Sequence, residues 1–276
     1  MRIFALILVV ITGGLLIYGT VDFPNWADPS SPAGTFVSPH YIEKALEETA
    51  VPNLVTAVLA DYRGYDTMLE TTVIFVAGVV CYFLLRTYQS KKQKTRYFRH
   101  VSTNIVINIE PGGKLPKEDS GFEPIDPTWA PYDLITKTSC RLLIPFIQIF
   151  ALYVIAHGHY SPGGGFQGGV ILGASFILFA IAFDLRHSFG RFEERTSNLF
   201  SSLGVLIYAG TGALSLLFGA SFLDYSALAP IFGSDPVMAR SHGILIVEIG
   251  VGVSVMAVMV WIYYNISSGG KHEEGL

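Results

Sequence analysis

Residues 142–183 read LLIPFIQIFALYVIAHGHYSPGGGFQGGVILGASFILFAIAF and contain no lysine, arginine, aspartate or glutamate. A helix needs about 20 mostly apolar residues to cross the roughly 30 Å hydrocarbon core of a bilayer, so this stretch is long enough for two crossings. Its middle, HGHYSPGGG at residues 157–165, carries a proline and three consecutive glycines, which favour a turn over a continuous helix. The stretch therefore predicts a tight hairpin of two membrane-spanning helices.

The rest of the chain has the same apolar character. Of the 276 residues, 51% are apolar and 14% are charged, whereas charged residues make up about a quarter of an ordinary soluble domain. Four further spans are expected, and two of them reach full length only by including one carboxylate each, Glu70 and Glu248. The sequence thus predicts an all-α integral membrane protein with about six transmembrane helices, at residues 3–21, 67–87, 141–157, 166–184, 198–219 and 241–263.

The orientation follows from the basic residues, because lysine and arginine concentrate in cytoplasmic loops. Placing both termini inside puts fifteen of the 18 basic residues inside, and leaves only Lys44, Arg63 and Arg240 outside. We therefore predict cytoplasmic termini. The first span begins like a signal peptide, but residues 16–20 lack the small-x-small cleavage pattern, so we expect it to be retained.

A polar stretch rich in proline, glycine and charge divides the chain into two membrane parts. We predict a two-helix part at 1–88 with an outer loop at 22–66, a cytoplasmic linker at 89–138, and a four-helix membrane domain at 139–276. Within the linker, the alternating β-branched residues at 101–109 are compatible with a short strand.

The outer loop carries two predicted short helices. Ser38 and Pro39 predict a helix start, with serine as N-cap and proline in the first turn, running to about residue 50. A second helix is expected at residues 53–60, ending near Gly64.

No signature of an enzyme is present, and we predict no cofactor and no bound metal ion. Cys81 and Cys140 are far apart and have no metal-ligand spacing. The net charge is −4, and the basic run at residues 86–99 is the anchor expected at the inner face of a membrane, so nucleic-acid binding is not indicated.

The glycines of the hairpin allow three interpretations. GGGFQG at residues 163–168 matches a dinucleotide-binding pattern letter by letter, but no strand precedes it and a membrane helix follows it. Gly165, Gly169 and Gly173 recur every four residues, which predicts a smooth face for close contact with another helix. The predicted packing loop consists of Pro162, Gly163, Gly164, Gly165, Gly168, Gly169 and Gly173.

The third interpretation is a loop whose backbone lines a hydrated entrance. His157, His159 and Gln167 would then supply its polar groups.

Carboxylates inside spans are candidate functional residues, because a charge at the middle of a span costs roughly 2.5–3.5 kcal/mol even on permissive scales. Glu248 lies about two turns into the last span. It could hold and release a proton, or it could be a neutral acid hydrogen-bonded to a neighbouring helix or facing another polypeptide of a complex. The residues alone leave both alternatives open.

Other acids lie at the ends of spans. Glu70 follows Asp61 and Asp66 at the mouth of the second span, where an acid near a helix N-terminus is also favoured by the helix dipole. Asp184 ends the fourth span beside Arg186, which favours an ion pair at the membrane interface.

Two sets of residues resemble known families. AHGH at 156–159, SPGGGFQGG at 161–169 and VEIGVG at 247–252 resemble the MrpB (MnhB) family of the Mrp-type multisubunit cation/proton antiporters. VLADYRGYDTMLETTV at 58–73 is similar to the C-terminal end of MrpA, the large protein of the same antiporters, and to MbhE, a small protein of membrane-bound hydrogenases. The chain looks like the tail of MrpA joined to MrpB.

The resemblance implies a multi-pass protein in the inner (plasma) membrane of a prokaryote, which works with the other subunits of its complex to exchange Na⁺ for H⁺. Two alternatives remain: an ion-translocating component of a related respiratory complex such as a membrane-bound hydrogenase, and an assembly scaffold without an ion path. In the family the counterpart of Glu70 belongs to a run of acids considered for ion passage, so we expect Glu70 to matter more than Glu248. The candidates for the ion or proton path are Asp61, Asp66, Glu70, His157, His159, Asp184 and Glu248.

The predicted topology can be tested with single cysteines. Cysteines at Ser30 and Ser226 should react with an impermeant thiol reagent applied outside the cell, and one at Ser120 should not. Labelling of Ser120 from outside would rule out this topology.

Overall fold

A computed structural model describes residues 2–87, 96–109, 113–117, 120–125 and 134–270. All six predicted spans coincide with helices, which confirms the helical membrane fold. Five of these helices are long and apolar enough to cross a membrane, and the first is a shorter apolar helix. The helices are α1 Arg2–Gly19, α2 Ser38–Thr49, α3 Leu54–Ala57, α4 Gly64–Thr87, α5 Leu134–Ala156, α6 Gly165–Phe183, α7 Leu185–Arg191, α8 Glu194–Leu217, α9 Ala229–Phe232 and α10 Pro236–Ser268.

Both short helices predicted in the outer loop are present, but the first does not begin as predicted. Asn53 caps α3, because its side chain accepts a hydrogen bond from the Val55 N–H, and a π-helical turn, Val58–Tyr62, continues this helix. Ser38 does not cap α2. Its backbone is helical and its N–H donates to the Ala33 carbonyl, since a π-helical turn at Ala33–Val37 already leads into α2.

Part of the predicted linker forms a small antiparallel sheet. Its strands are β1 Arg96–His100, β2 Val106–Ile109 and β3 Phe122–Ile125, in the order β2-β1-β3. Of residues 101–109, which the alternation marked as a possible strand, only residues 106–109 form one, because residues 101–103 form a turn. Linker residues 89–95, 110–112, 118–119 and 126–133 lie outside the described residues.

The chain divides into two compact units, residues 1–45 and residues 46–276. The first unit contains α1, whose apolar side chains are exposed. The second unit contains the other five long helices. The predicted division near residues 88 and 138 stays a prediction.

Helix α10 is the centre of the second unit. It packs against α8, α6 and α4, while α5 packs mainly on α6. Small residues allow these approaches, because a side chain at a helix crossing holds two backbones apart. A Cβ atom at Gly169 of α6 would lie 2.6 Å from the Gly252 carbonyl oxygen of α10, and one at Gly173 would lie 3.3 Å from the Met256 carbonyl oxygen.

The same rule applies on the other side of α10. A Cβ atom at Gly204 of α8 would overlap the Gly250 carbonyl oxygen, and it would lie 2.6 Å from the Ser254 Cβ. The glycines of α6, α8 and α10 therefore set the spacing of the three helices.

Replacing Gly169 with leucine should separate α6 from α10 and sharply lower the amount of assembled protein recovered from membranes. Gly210→Leu is the matched control, because Gly210 also lies in a helix but nothing lies within 4 Å of its Cβ position. Equal recovery of the two variants would show that the α6–α10 contact does not depend on this glycine.

Candidate functional site

The hairpin loop between α5 and α6 is held by a segment from far away in the chain. The Asn53 side-chain amide donates to the carbonyls of Gly158, at 2.8 Å, and Ser161, at 2.9 Å. The Asn53 backbone N–H donates to the His159 carbonyl at 2.9 Å, and the Thr56 hydroxyl donates to the Gly158 carbonyl at 2.8 Å. One asparagine thus satisfies three loop carbonyls.

Hydrogen bonds from two tyrosines hold residues 60 and 64, which lie further along the segment that begins at Asn53. The Tyr208 hydroxyl of α8 donates to the Gly64 carbonyl at 2.8 Å, and the Tyr225 hydroxyl donates to the Ala60 carbonyl at 3.1 Å. Both tyrosines are fully buried. Burial raises the pKa of Tyr225, so its hydroxyl keeps its proton and remains a donor.

The Glu248 carboxyl group lies inside the hairpin loop. Only 8% of the residue is exposed. A Cβ atom at Gly158 would lie 2.6 Å from Oε2, and one at Gly164 would overlap Oε1. The carboxyl group lies against Gly164, the N-cap residue of α6. The loop glycines therefore admit an acid where any side chain would exclude it.

Glu248 also lines a cavity of about 230 Å³, which we call the acid cavity. Glu70, on α4, lines the same cavity, so the two acids that the sequence singled out within spans are brought together. The lining consists of Leu59, Ala60, Thr67, Glu70, Gly165, Phe166, Gln167, Tyr208, Val247, Glu248 and Val251.

The other two acids near Glu70 do not line this cavity. Asp61 pairs with Arg240 of α10, with Oδ2 2.7 Å from Nε. Burial raises the pKa of Asp61, and the arginine opposes this shift. Asp66 accepts a hydrogen bond of 2.6 Å from the Arg63 Nε. The structure therefore places Asp61 and Asp66 in ion pairs, and of the three acids only Glu70 lines the cavity.

The remaining candidates lie elsewhere. His157 is exposed and stacks on Tyr153, with ring centroids 4.2 Å apart. His159 is buried, with Nδ1 3.5 Å from the Ser241 hydroxyl, and burial together with His242 lowers its pKa. Of the three polar side chains proposed for a hydrated entrance, only Gln167 lines the cavity.

Asp184 follows the last residue of α6. Its N–H donates to the Ala180 carbonyl, and its φ angle is +93°. It lies at the opposite end of α6 from Glu248 and does not line the acid cavity.

Sequence reasoning missed the contacts made by Asn53, Tyr208 and Arg240. Asn53 was recognisable only as a local helix cap. Its partners lie more than 100 positions away, as the sequence separations of 105 and 108 show, and no local pattern reports contacts of that range.

Comparison with known proteins identifies both parts of the chain. Residues 135–261 match the family model described as a domain related to the MnhB subunit of Na⁺/H⁺ antiporters, and residues 4–99 match the MbhE model, which describes a protein of the MBH complex. A putative antiporter subunit mnhB2 of Staphylococcus haemolyticus is 32% identical over 139 residues, which cover 50% of this chain and 96% of that protein. The chain belongs to the MnhB family.

A relative that spans both parts of this MnhB-family chain is the probable K⁺/H⁺ antiporter A/B protein of Rhizobium meliloti. It is 24% identical over 82% of the chain, but the match covers only 22% of that longer protein.

Two solved structures share the fold of this MnhB-family chain. A chain of the membrane-bound sulfane sulfur reductase, an archaeal respiratory membrane complex, matches with a TM-score of 0.58 and 26% identity, over 96% of this chain and 97% of that one. A chain of the Mrp complex from Dietzia sp. DQ12-45-1b matches with a TM-score of 0.56 and 21% identity, over 98% of this chain and 25% of that one.

Asn53→Asp should destabilise the MnhB-family chain, because the new carboxylate would face carbonyl oxygens that now accept its amide hydrogens. Each buried carbonyl left unpaired costs about 1–3 kcal/mol, so we expect a lower thermal midpoint for the purified protein. Asn25→Asp makes the same change at an exposed position and is the control. Equal thermal midpoints for the two variants would contradict a role of the Asn53 hydrogen bonds in holding the hairpin loop.

Proposed function

We propose that this protein is a non-catalytic membrane subunit of an Mrp-type cation/proton antiporter complex, and that the acid cavity forms part of the ion or proton path. The observation that supports the path is the shared cavity of Glu70 and Glu248. One acid comes from the part that matches MbhE, and the other from the part that matches MnhB. The cavity therefore combines the two parts of the chain at one site.

The chemistry of the lining suits a proton or a cation. The Thr67 hydroxyl donates its hydrogen to the Leu59 carbonyl at 2.8 Å, which leaves only its lone pairs for other partners. No lysine, arginine or histidine is among the described residues that line the cavity. Two carboxyl groups without a cationic side chain in the same low-dielectric space favour a shared proton or a bound cation.

The two acids differ in exposure. Glu248 is buried, whereas Glu70 is exposed in this chain. An exposed acid on a membrane helix needs water or another protein beside it, because lipid cannot solvate it. In a multisubunit membrane complex a neighbouring protein would meet this need, so Glu70 fits the side from which an ion enters and Glu248 the enclosed end.

A related respiratory complex is the second candidate host. The match to the chain of the sulfane sulfur reductase complex covers 96% of this chain and nearly all of that one, which favours this alternative over other classes. In either host the chain itself would move ions and leave redox chemistry to other components of the complex.

Glu70→Gln and Glu248→Gln should each slow cation-dependent proton movement on the order of tenfold, because glutamine keeps the shape of the side chain but cannot exchange a proton; a tenfold loss corresponds to about 1.4 kcal/mol. The measurement is cation-induced proton flux in everted vesicles that contain matched amounts of the whole complex.

Glu43→Gln provides the control, since Glu43 is an exposed acid outside the cavity. If both cavity variants exchange ions at the rate of Glu43→Gln, the cavity is not on the path and a scaffold role is the better description.

A further inference from the structure

The Glu248 carboxyl group is held asymmetrically. Its Oε2 atom is buried and has no hydrogen-bond partner among the described residues. Its Oε1 atom lies where a side chain on Gly164, the N-cap residue of α6, would begin. One carboxyl oxygen thus lies at the N-terminus of α6, and the other is buried without a partner.

Oε1 of Glu248 lies at the N-terminus of a long helix. Helix α6 has 19 residues, and its N-cap residue, Gly164, has no side chain to accept from the first N–H groups. Those N–H groups lack partners within the helix, and the helix dipole adds a partial positive charge at this end. The Glu248 carboxyl group occupies the place that a capping side chain takes in other helices.

We propose that Gly164 and Gly158 are positioning residues for ion exchange: they seat Glu248 on the N-terminus of α6, so that it can ionise inside the membrane and present Oε2 for proton exchange. This inference rests on the proposed function, because it assumes that Glu248 takes part in exchange. It adds to that function a physical reason why Glu248 can lose its proton inside the membrane.

The alternative for a carboxyl group inside a bilayer is to stay protonated, because a bare charge in hydrocarbon is too costly. A helix N-terminus favours the anion, by an amount that shifts the pH at which exchange is half-maximal by roughly 0.2–1.5 units. The hydrogen bonds that Asn53 and Thr56 donate to the Gly158 carbonyl hold Gly158 in place on the other side of the carboxyl group.

Two other titratable groups share the acid cavity with Glu248. They are Glu70 of α4 and Tyr208 of α8. Tyr208 donates its hydrogen to the Gly64 carbonyl, so Glu70 is the other carboxyl group in the cavity.

Gly164 offers a clean test, because its φ angle of 179° is extended backbone that any residue adopts. The Cβ of Gly164→Ala would overlap Oε1 and displace the carboxyl group from the helix N-terminus without straining the loop. The half-maximal pH of exchange should then rise by about one unit relative to wild type. Gly158→Ala, which crowds Oε2, should shift the profile in the same direction.

Gly168→Ala is the matched control. It also lies in α6 and also crowds its neighbours, since its Cβ would lie 2.9 Å from the Ala151 carbonyl oxygen, but it does not contact Glu248. A merely structural role would make Gly164→Ala and Gly168→Ala alike, with less assembled complex and an unchanged pH profile. That result would overturn the inference.

The Glu248→Gln background separates this inference from the proposed function. If Glu248→Gln exchanges ions normally, the role of Glu248 in the proposed function fails, and the inference fails with it. If Glu248→Gln loses exchange but Gly164→Ala keeps the wild-type pH profile, only the inference fails. Where exchange remains measurable in Glu248→Gln, adding Gly164→Ala should cause no further pH shift, because the seated group is gone.

A second measurement covers the case in which Gly164→Ala does not assemble. Infrared difference spectra of the wild-type complex minus Glu248→Gln, recorded over a pH series, report the protonated and ionised forms of this one carboxyl group. The inference expects an ionised fraction that grows as the pH rises through the range in which exchange is active. A carboxyl group that stays protonated across the whole active pH range would overturn it.

Discussion

The second unit of the structure depends on one contact: a carboxyl group from the middle of α10 placed at the N-terminus of α6. The Glu248 carboxyl group can lie there only because residues 158 and 164 have no side chains. The contact fixes the hairpin loop against the central helix. In a bilayer, where backbone N–H groups have no water to bind, it also puts a polar group beside the unpaired N–H groups of that helix end.

The glycine pattern follows from the same constraint. For the start of α6 to meet Glu248, α6 must run close along α10, and Gly165, Gly169 and Gly173 are the residues that face α10 at the crossing. The opposite side of α10 meets α8 by the same means, through Gly204 and Gly250. Packing and chemistry are therefore not alternative explanations of these glycines, because the packing of the helices is what places the acid.

The sequence predicted the fold more completely than the site. Spans follow from composition and length, so their positions agree with the helices to within a few residues at most ends, although α5 begins at Leu134 instead of near residue 141. The small sheet was only partly foreseen, since its strands pair across residues whose alternation is weak. Glu70 and Glu248 were singled out as acids within spans, but nothing local in the sequence places them at one cavity.

The expectation that Glu70 matters more than Glu248 stays a prediction. It rested on the resemblance to MrpA and on the nearness of Asp61 and Asp66 to Glu70 in the sequence. In the structure Asp61 and Asp66 pair with Arg240 and Arg63, and Glu70 shares a cavity with Glu248, 178 positions later in the chain. Glu70 is exposed, whereas Glu248 is buried and lies at the N-terminus of α6, so the two acids have distinct parts in the proposed exchange: Glu70 at the outside of the cavity and Glu248 at its enclosed end.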